Sequence, residues 1–168
     1  MSLKNRLIVM NFLQFAVWGA YLTSMSRYLG PAGMGAYIGI FYSVQGIVSI
    51  FMPAIIGIIA DRWVSAQKLL GVCHLLAAFF MASAGLYAIN SGVNVSFAIF
   101  FTLYTLSVAF YMPTLALSNS VAYTILDRSG LDTVKAFPPI RVFGTIGFIC
   151  TMWIVDLLGY QTTSMQFI

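Results

Sequence analysis

Hydrophobic residues occur in five long runs, separated by short polar or glycine-rich breaks, at about 7–29, 36–60, 69–89, 95–126 and 135–159. Each run is continuously apolar, without the alternation of polar and apolar positions that a half-buried strand requires. A helix needs about 20 apolar residues to cross the hydrocarbon core of a bilayer. The pattern therefore predicts an all-α integral membrane protein with five spans.

The residues after Gly159 predict the beginning of another helix. Thr163 and Ser164 precede renewed apolar residues, as N-cap residues do, and the sequence ends at Ile168. We therefore expect residues 1–168 to form an N-terminal transmembrane bundle that is truncated at the start of the sixth helix.

Composition excludes a soluble domain, because 61% of the 168 residues are hydrophobic and 7% are charged, whereas soluble domains carry about 25% charged residues. The net charge is +4, which in a membrane protein first reports topology rather than a nucleic-acid partner. The loop cations fall on one side of the predicted membrane with a single exception, Arg27; the six are Lys4, Arg6, Arg62, Lys68, Arg128 and Lys135. This asymmetry predicts a cytoplasmic N-terminus.

Residues that could carry catalysis are scarce. The sequence has one histidine, no glutamate, and aspartates only at span ends or in a loop, so we expect no enzyme activity, no cofactor and no metal. Cys73 and Cys150 lie in apolar runs and are interpreted as buried free thiols. His74 lies one turn inside the third run, where it either relays protons or hydrogen-bonds a neighbouring helix.

Arg141 lies inside the fifth run, where an arginine costs at least about 2.5 to 3.5 kcal/mol at a helix centre. One interpretation is that its side chain reaches back to water at the cytoplasmic end. The other is that it binds a ligand, because Arg141, Thr145 and Phe148 lie within about 60° of one another on a helical wheel. An arginine fork, a hydroxyl and an aromatic ring on one stripe suit a polar ligand with a flat ring.

Other polar residues also repeat at helical spacing: Asn11, Gln14 and Trp18 in the first run, and Asn119 and Tyr123 in the fourth. They either line a cavity or join helices through hydrogen bonds worth about 0.6 kcal/mol each. Small residues allow close helix packing, which we expect at Gly35, Gly39, Gly144 and Gly147.

Sequence motifs add a family resemblance. Residues 57–68, GIIADRWVSAQK, resemble the loop signature of the major facilitator superfamily, with Asp61 and Arg62 as its acidic-basic pair. Across most of the chain, the segments NFLQFAVWGAYLTSMSRY, FMPAIIGIIADRW, AFYMPTLALSNSVAY and FPPIRVFGTIGF resemble, in this order, the bacterial nucleoside/proton symporters of that superfamily.

This resemblance implies the N-terminal portion of a twelve-helix transporter in a bacterial inner membrane. It implies that Arg141, Thr145 and Phe148 contact the nucleoside, and that Asp61 and Arg62 belong to a gating loop that stabilises the outward-open state. Expected partners are a nucleoside, protons, the lipid bilayer and the missing C-terminal helices, which would carry the proton-coupling carboxylates. Two alternatives remain open: a major facilitator transporter for another polar solute, such as a sugar, and a membrane-embedded structural or assembly subunit.

Overall fold

Residues 2–92 and 94–168 are described by a computed structural model, and all regular structure among them is helical. The five long helices are α1 Leu3–Tyr21, α2 Ile38–Arg62, α3 Ala66–Ser91, α4 Phe97–Arg128 and α5 Thr133–Leu157. The helical stretch Leu3–Arg62, which contains α1 and α2, and the other three helices are long and apolar enough to cross a membrane. The predicted all-α membrane fold is confirmed, and the described residues contain five long helices.

The first predicted run, 7–29, is not one helix. α1 ends at Tyr21, and a short helix, Met25–Leu29, follows it. A π-helical turn, Gly30–Met34, and a 3-10 turn, Gly35–Tyr37, then lead into α2. Gly33 has a φ of 77°, which a glycine adopts without the steric cost that a side chain brings. The glycine-rich break was predicted, but the end of α1 was placed eight residues too late.

Helix α5 begins earlier than the sequence indicated. The carboxylate of Asp132 accepts hydrogen bonds from the backbone N–H groups of Val134, at 3.0 Å, and Lys135, at 3.4 Å. This cap starts the helix at Thr133 rather than near residue 135. Pro138 and Pro139 consequently lie in the second turn of α5.

The helices pack as two groups joined through α4. α1 runs alongside α5 in the same direction, since Leu7 shares a cluster with Ile140 and Gly19 lies against Phe148. α4 packs against both α2 and α3, and the core between them is rich in fully buried aromatic rings, including Phe41, Phe100 and Tyr104. α4 therefore joins the pair of α1 and α5 to the pair of α2 and α3.

Glycines explain how closely α1 and α5 approach. A Cβ added to Gly147 would overlap the carbonyl of Phe12, and one added to Gly144 would lie 2.7 Å from Cδ2 of Phe15. Close contact at these two glycines is confirmed.

The corresponding expectation for Gly35 and Gly39 was wrong. Gly35 lies in the turn before α2, where an added Cβ would meet only Gly30 at 3.7 Å, and Gly39 faces open space.

The residues after α5 fold back on the bundle. Two 3-10 turns, Tyr160–Thr162 and Ser164–Phe167, follow Gly159. The hydroxyl of Thr163 accepts a hydrogen bond from the N–H of Met165 at 3.3 Å, so the predicted cap is present and a 3-10 turn follows it. Phe167 is buried against Tyr28 and Phe100.

Candidate functional site

The stripe predicted on the fifth span lies on the surface of α5 next to α1. Thr145 is exposed, and Arg141 and Phe148 are half-buried. Beside them stand two aromatic residues of α1, Phe15, which is buried, and Trp18, which is half-buried. We call these five residues the α1–α5 face.

Arg141 does not reach back toward the N-terminal end of its helix. Its guanidinium carbon lies 3.8 Å from the centroid of the Phe15 ring. A Cβ added to Gly144 would lie 2.8 Å from Nη1 of Arg141, so the guanidinium lies beside a residue almost one turn farther from the N-terminal end. The structure therefore holds the charge inside the span instead of leading it to water at the nearer end.

The charge of Arg141 is not neutralised by a carboxylate in the part of the chain that the structure describes. Ion pairs there join Arg27 to Asp156 and Lys135 to Asp132, each at 3.6 Å. The contact with the Phe15 ring does not pair the guanidinium with an oxygen acceptor, so its N–H donors can still bind a ligand.

Aromatic contacts fix the other end of the α1–α5 face. The Phe148 ring meets the Trp18 ring edge to face, with centroids 6.2 Å apart and an interplanar angle of 85°. A Cβ on Gly19 would lie 2.8 Å from Cα of Phe148, so this glycine lets α5 approach α1 at Phe148. The arrangement offers a cation, a hydroxyl and an aromatic ring along about 10 Å of helix.

Gln14 joins helices rather than lining a cavity. Its Nε2 donates to the hydroxyl of Thr114 on α4 at 2.7 Å, and the hydroxyl of Tyr111 donates to its backbone carbonyl. Asn11 is fully buried and donates to the carbonyl of Leu7 in its own helix at 3.1 Å. Of the two uses considered for this polar stripe, the structure favours helix association for Gln14.

The two polar residues of the fourth span, Asn119 and Tyr123, differ in their contacts. The Tyr123 ring packs on Phe137 of α5, with centroids 4.4 Å apart. Asn119 is half-buried, and its Oδ1 has no hydrogen-bond partner among the residues that the structure describes.

His74 borders a cavity of about 300 Å³ that is separate from the α1–α5 face. Ser107, Tyr111 and Gln166 also border it, and the remaining lining is largely apolar. Nδ1 of His74 lies 2.9 Å from the carbonyl of Leu70, one turn earlier in the same helix. Because a carbonyl only accepts, this nitrogen carries the proton. Of the two roles considered for His74, a hydrogen bond to a neighbouring helix is not present among the described residues, and proton relay stays a prediction.

Of the remaining predicted residues, the acidic-basic pair lies at a helix end and the two cysteines lie within helices. Asp61 and Arg62 are exposed in the last turn of α2, on the side where α3 begins. Cys73 is buried as expected, whereas Cys150 is only half-buried; both are free thiols.

The sequence analysis missed three features of this structure. Phe15 was not singled out, because nothing in the sequence distinguishes it from the other aromatic residues in the spans. The Gln14–Thr114 contact joins residues 100 positions apart, and the Arg27–Asp156 contact joins residues even farther apart. Helical spacing cannot predict contacts between residues so distant in the sequence. Arg27 and Asp156 did carry a signal, since opposite charges end two spans on the same side of the membrane.

Comparison with known proteins identifies a matching family and curated relatives of this chain. The family described as nucleoside H+ symporter matches residues 1–168. The chain is 45% identical to xanthosine permease and 43% identical to nucleoside permease NupG, both of Escherichia coli strain K12. Each alignment covers 99% of this chain and 38% of the relative, so the chain spans well under half the length of these curated relatives.

A solved structure shares the fold. The crystal structure of nucleoside transporter NupG superposes with a TM-score of 0.90 at 40% identity, covering 99% of this chain and 40% of that one. The helical bundle is therefore of the major facilitator type.

Proposed function

The chain belongs to the nucleoside H+ symporter family, and on that premise we propose that it forms part of a transporter that moves nucleosides together with protons. The observation that carries the proposal is the α1–α5 face. A guanidinium held against an aromatic ring, an exposed hydroxyl and a half-buried phenyl ring are grouped there, in a segment that the family match covers in full.

Each group on this face suits one part of a nucleoside. Arg141 can donate to carbonyl oxygens of a base or hydroxyl oxygens of a ribose. Thr145 adds one hydrogen bond, and Phe148 offers a ring on which a base can stack. A nucleobase can stack its whole flat face on this ring, so the aromatic residue favours a nucleoside over a sugar.

We propose that residues 1–168 act as the N-terminal bundle of a longer transporter, with residues 160–168 leading into its sixth helix. The support is the share of 38% that the chain covers in its relatives. Alternating access moves two bundles about a central site, so the complete transporter, meaning the protein that contains both bundles, is the unit that would transport.

Two further roles follow from this assignment. We assign Asp61 and Arg62 to a gating loop, since both are exposed at the end of α2 near the cation Lys68. We place the proton-coupling carboxylates in the second bundle, because all four aspartates of this chain are exposed near helix ends.

The test is uptake of labelled uridine by the complete transporter reconstituted in liposomes. An inward proton gradient should drive concentrative uptake, a protonophore should abolish it, and excess unlabelled nucleoside should compete where excess glucose does not. Reconstituted residues 1–168 serve as the second arm and should show no concentrative uptake. Competition by glucose alone would indicate a sugar transporter, and uptake by residues 1–168 at the level of the complete transporter would refute the two-bundle assignment.

A further inference from the structure

We infer that Phe15 and Gly144 are positioning residues that hold the Arg141 guanidinium ready for the nucleoside. The inference rests on the proposed function, because it gives these two residues a role only if Arg141 binds the substrate. Neither residue needs to touch the nucleoside itself.

Phe15 supplies the surface on which the guanidinium rests. The guanidinium carbon stands 3.8 Å from the ring centroid, well within the limit of about 6 Å for a cation over an aromatic face. Phe15 is itself 8% exposed, so the ring is held by its surroundings. Because the ring attracts the charge through its face, the stack orients Arg141 without using any hydrogen-bond donor.

Gly144 supplies the space in which the guanidinium and the ring meet. A Cβ at this position would lie 2.7 Å from Cδ2 of Phe15 and 2.8 Å from Nη1 of Arg141. Both separations are shorter than ordinary van der Waals contact, so an alanine would displace the ring, the guanidinium or both. The sequence thus has a glycine at the position of α5 where a side chain would occupy the space of the Arg141 guanidinium.

The alternative is that Phe15 and Gly144 only pack α1 against α5. That role predicts a change in stability that is independent of Arg141. The positioning role predicts instead a change in nucleoside affinity that depends on an aromatic ring at position 15 and on the arginine at position 141.

The experiment measures uridine binding to the purified complete transporter by calorimetry. Phe15→Leu should weaken binding about three- to thirtyfold, the range expected for a lost cation–ring contact, whereas Phe15→Tyr should bind like the original protein. In an Arg141→Gln background, Phe15→Leu should cause no further loss. Phe15→Met serves as a second ring-free variant should the leucine variant fail to fold.

Gly144→Ala should also weaken binding, and Gly71→Ala, which places a Cβ into open space on α3, is its matched control. Transport by Phe15→Leu and by Gly144→Ala should show a raised KM with little change in kcat, whereas Phe15→Tyr and Gly71→Ala should keep the original KM. Unchanged affinity in the folded leucine or methionine variant, or equal losses for leucine and tyrosine, would overturn the positioning role. Absence of uridine binding to the unsubstituted protein would instead overturn the proposed function.

Discussion

An arginine inside a span needs compensation, and the contacts of Arg141 indicate its form. The insertion cost of at least about 2.5 to 3.5 kcal/mol is met in part by the ring of Phe15, since a cation–ring contact is worth about 0.5 to 2 kcal/mol. The ring does not satisfy the N–H donors. Those donors require water or a ligand, so the site keeps its full hydrogen-bonding capacity for a polar substrate.

Arg141→Lys in the complete transporter tests this account at the level of one residue. Lysine keeps the charge and the long stem but not the planar fork. Losing one charged hydrogen bond, worth about 1.5 to 3 kcal/mol, should weaken uridine binding about ten- to a hundredfold. Calorimetry measures the affinity, and thermal melting checks the fold. Equal affinities for the two proteins would mean that the guanidinium only anchors the helix.

The sequence predicted the three α5 residues of the α1–α5 face but not Phe15 of α1. Helical spacing alone places Arg141, Thr145 and Phe148 on one stripe, because 3.6 residues per turn fixes their angles. The partner ring of Phe15 depends on how α1 packs against α5, and one sequence contains no signal for that register. The direction of the Arg141 side chain was open for the same reason.

At the scale of helices, the five long helices were predictable and their ends were not. Apolar length identifies a span, but a cap decides where it begins, and Asp132 starts α5 before the apolar run does. The end of α1 at Tyr21 lies within an apolar run, where hydropathy gives no boundary. Glycine spacing likewise identified the close contacts at Gly144 and Gly147 but gave the same signal at Gly35 and Gly39, which face open space or their own turn.

Gly147→Ala should separate α1 from α5. The added Cβ would overlap the backbone of Phe12, which cannot rotate away as a side chain can. Overpacking of this kind costs about 1 to 3 kcal/mol, so the melting temperature of the purified protein should fall. Gly71→Ala meets open space in α3 and should leave it unchanged or raise it slightly, since alanine is favoured over glycine in helices by about 0.5 to 1 kcal/mol. Equal melting temperatures for the two variants would contradict the close contact.

At the scale of the whole molecule, charge is segregated between the two ends of the bundle. The parallel course of α1 and α5 brings Arg27, after α1, within 3.6 Å of Asp156 in the last turn of α5. Both side chains are more than 60% exposed, so this pair adds at most about 1 kcal/mol to stability. Asp156 does balance the positive charge of Arg27, the one loop cation at that end of the bundle. The other end keeps six cations against three aspartates, Asp61, Asp127 and Asp132.

This asymmetry predicts that the N-terminus faces the cytoplasm, because short loops rich in Lys and Arg stay on that side. Two exposed loop positions distinguish the orientations: Asn94 precedes α4 at the end that carries Arg27, and Ser65 precedes α3 at the cation-rich end. In a background with Cys73 and Cys150 replaced by serine, an impermeant thiol reagent on intact cells should label Asn94→Cys but not Ser65→Cys. Permeabilised cells should label both, which controls for accessibility. Labelling of Ser65→Cys alone on intact cells would reverse the topology and place the gating loop outside the cell.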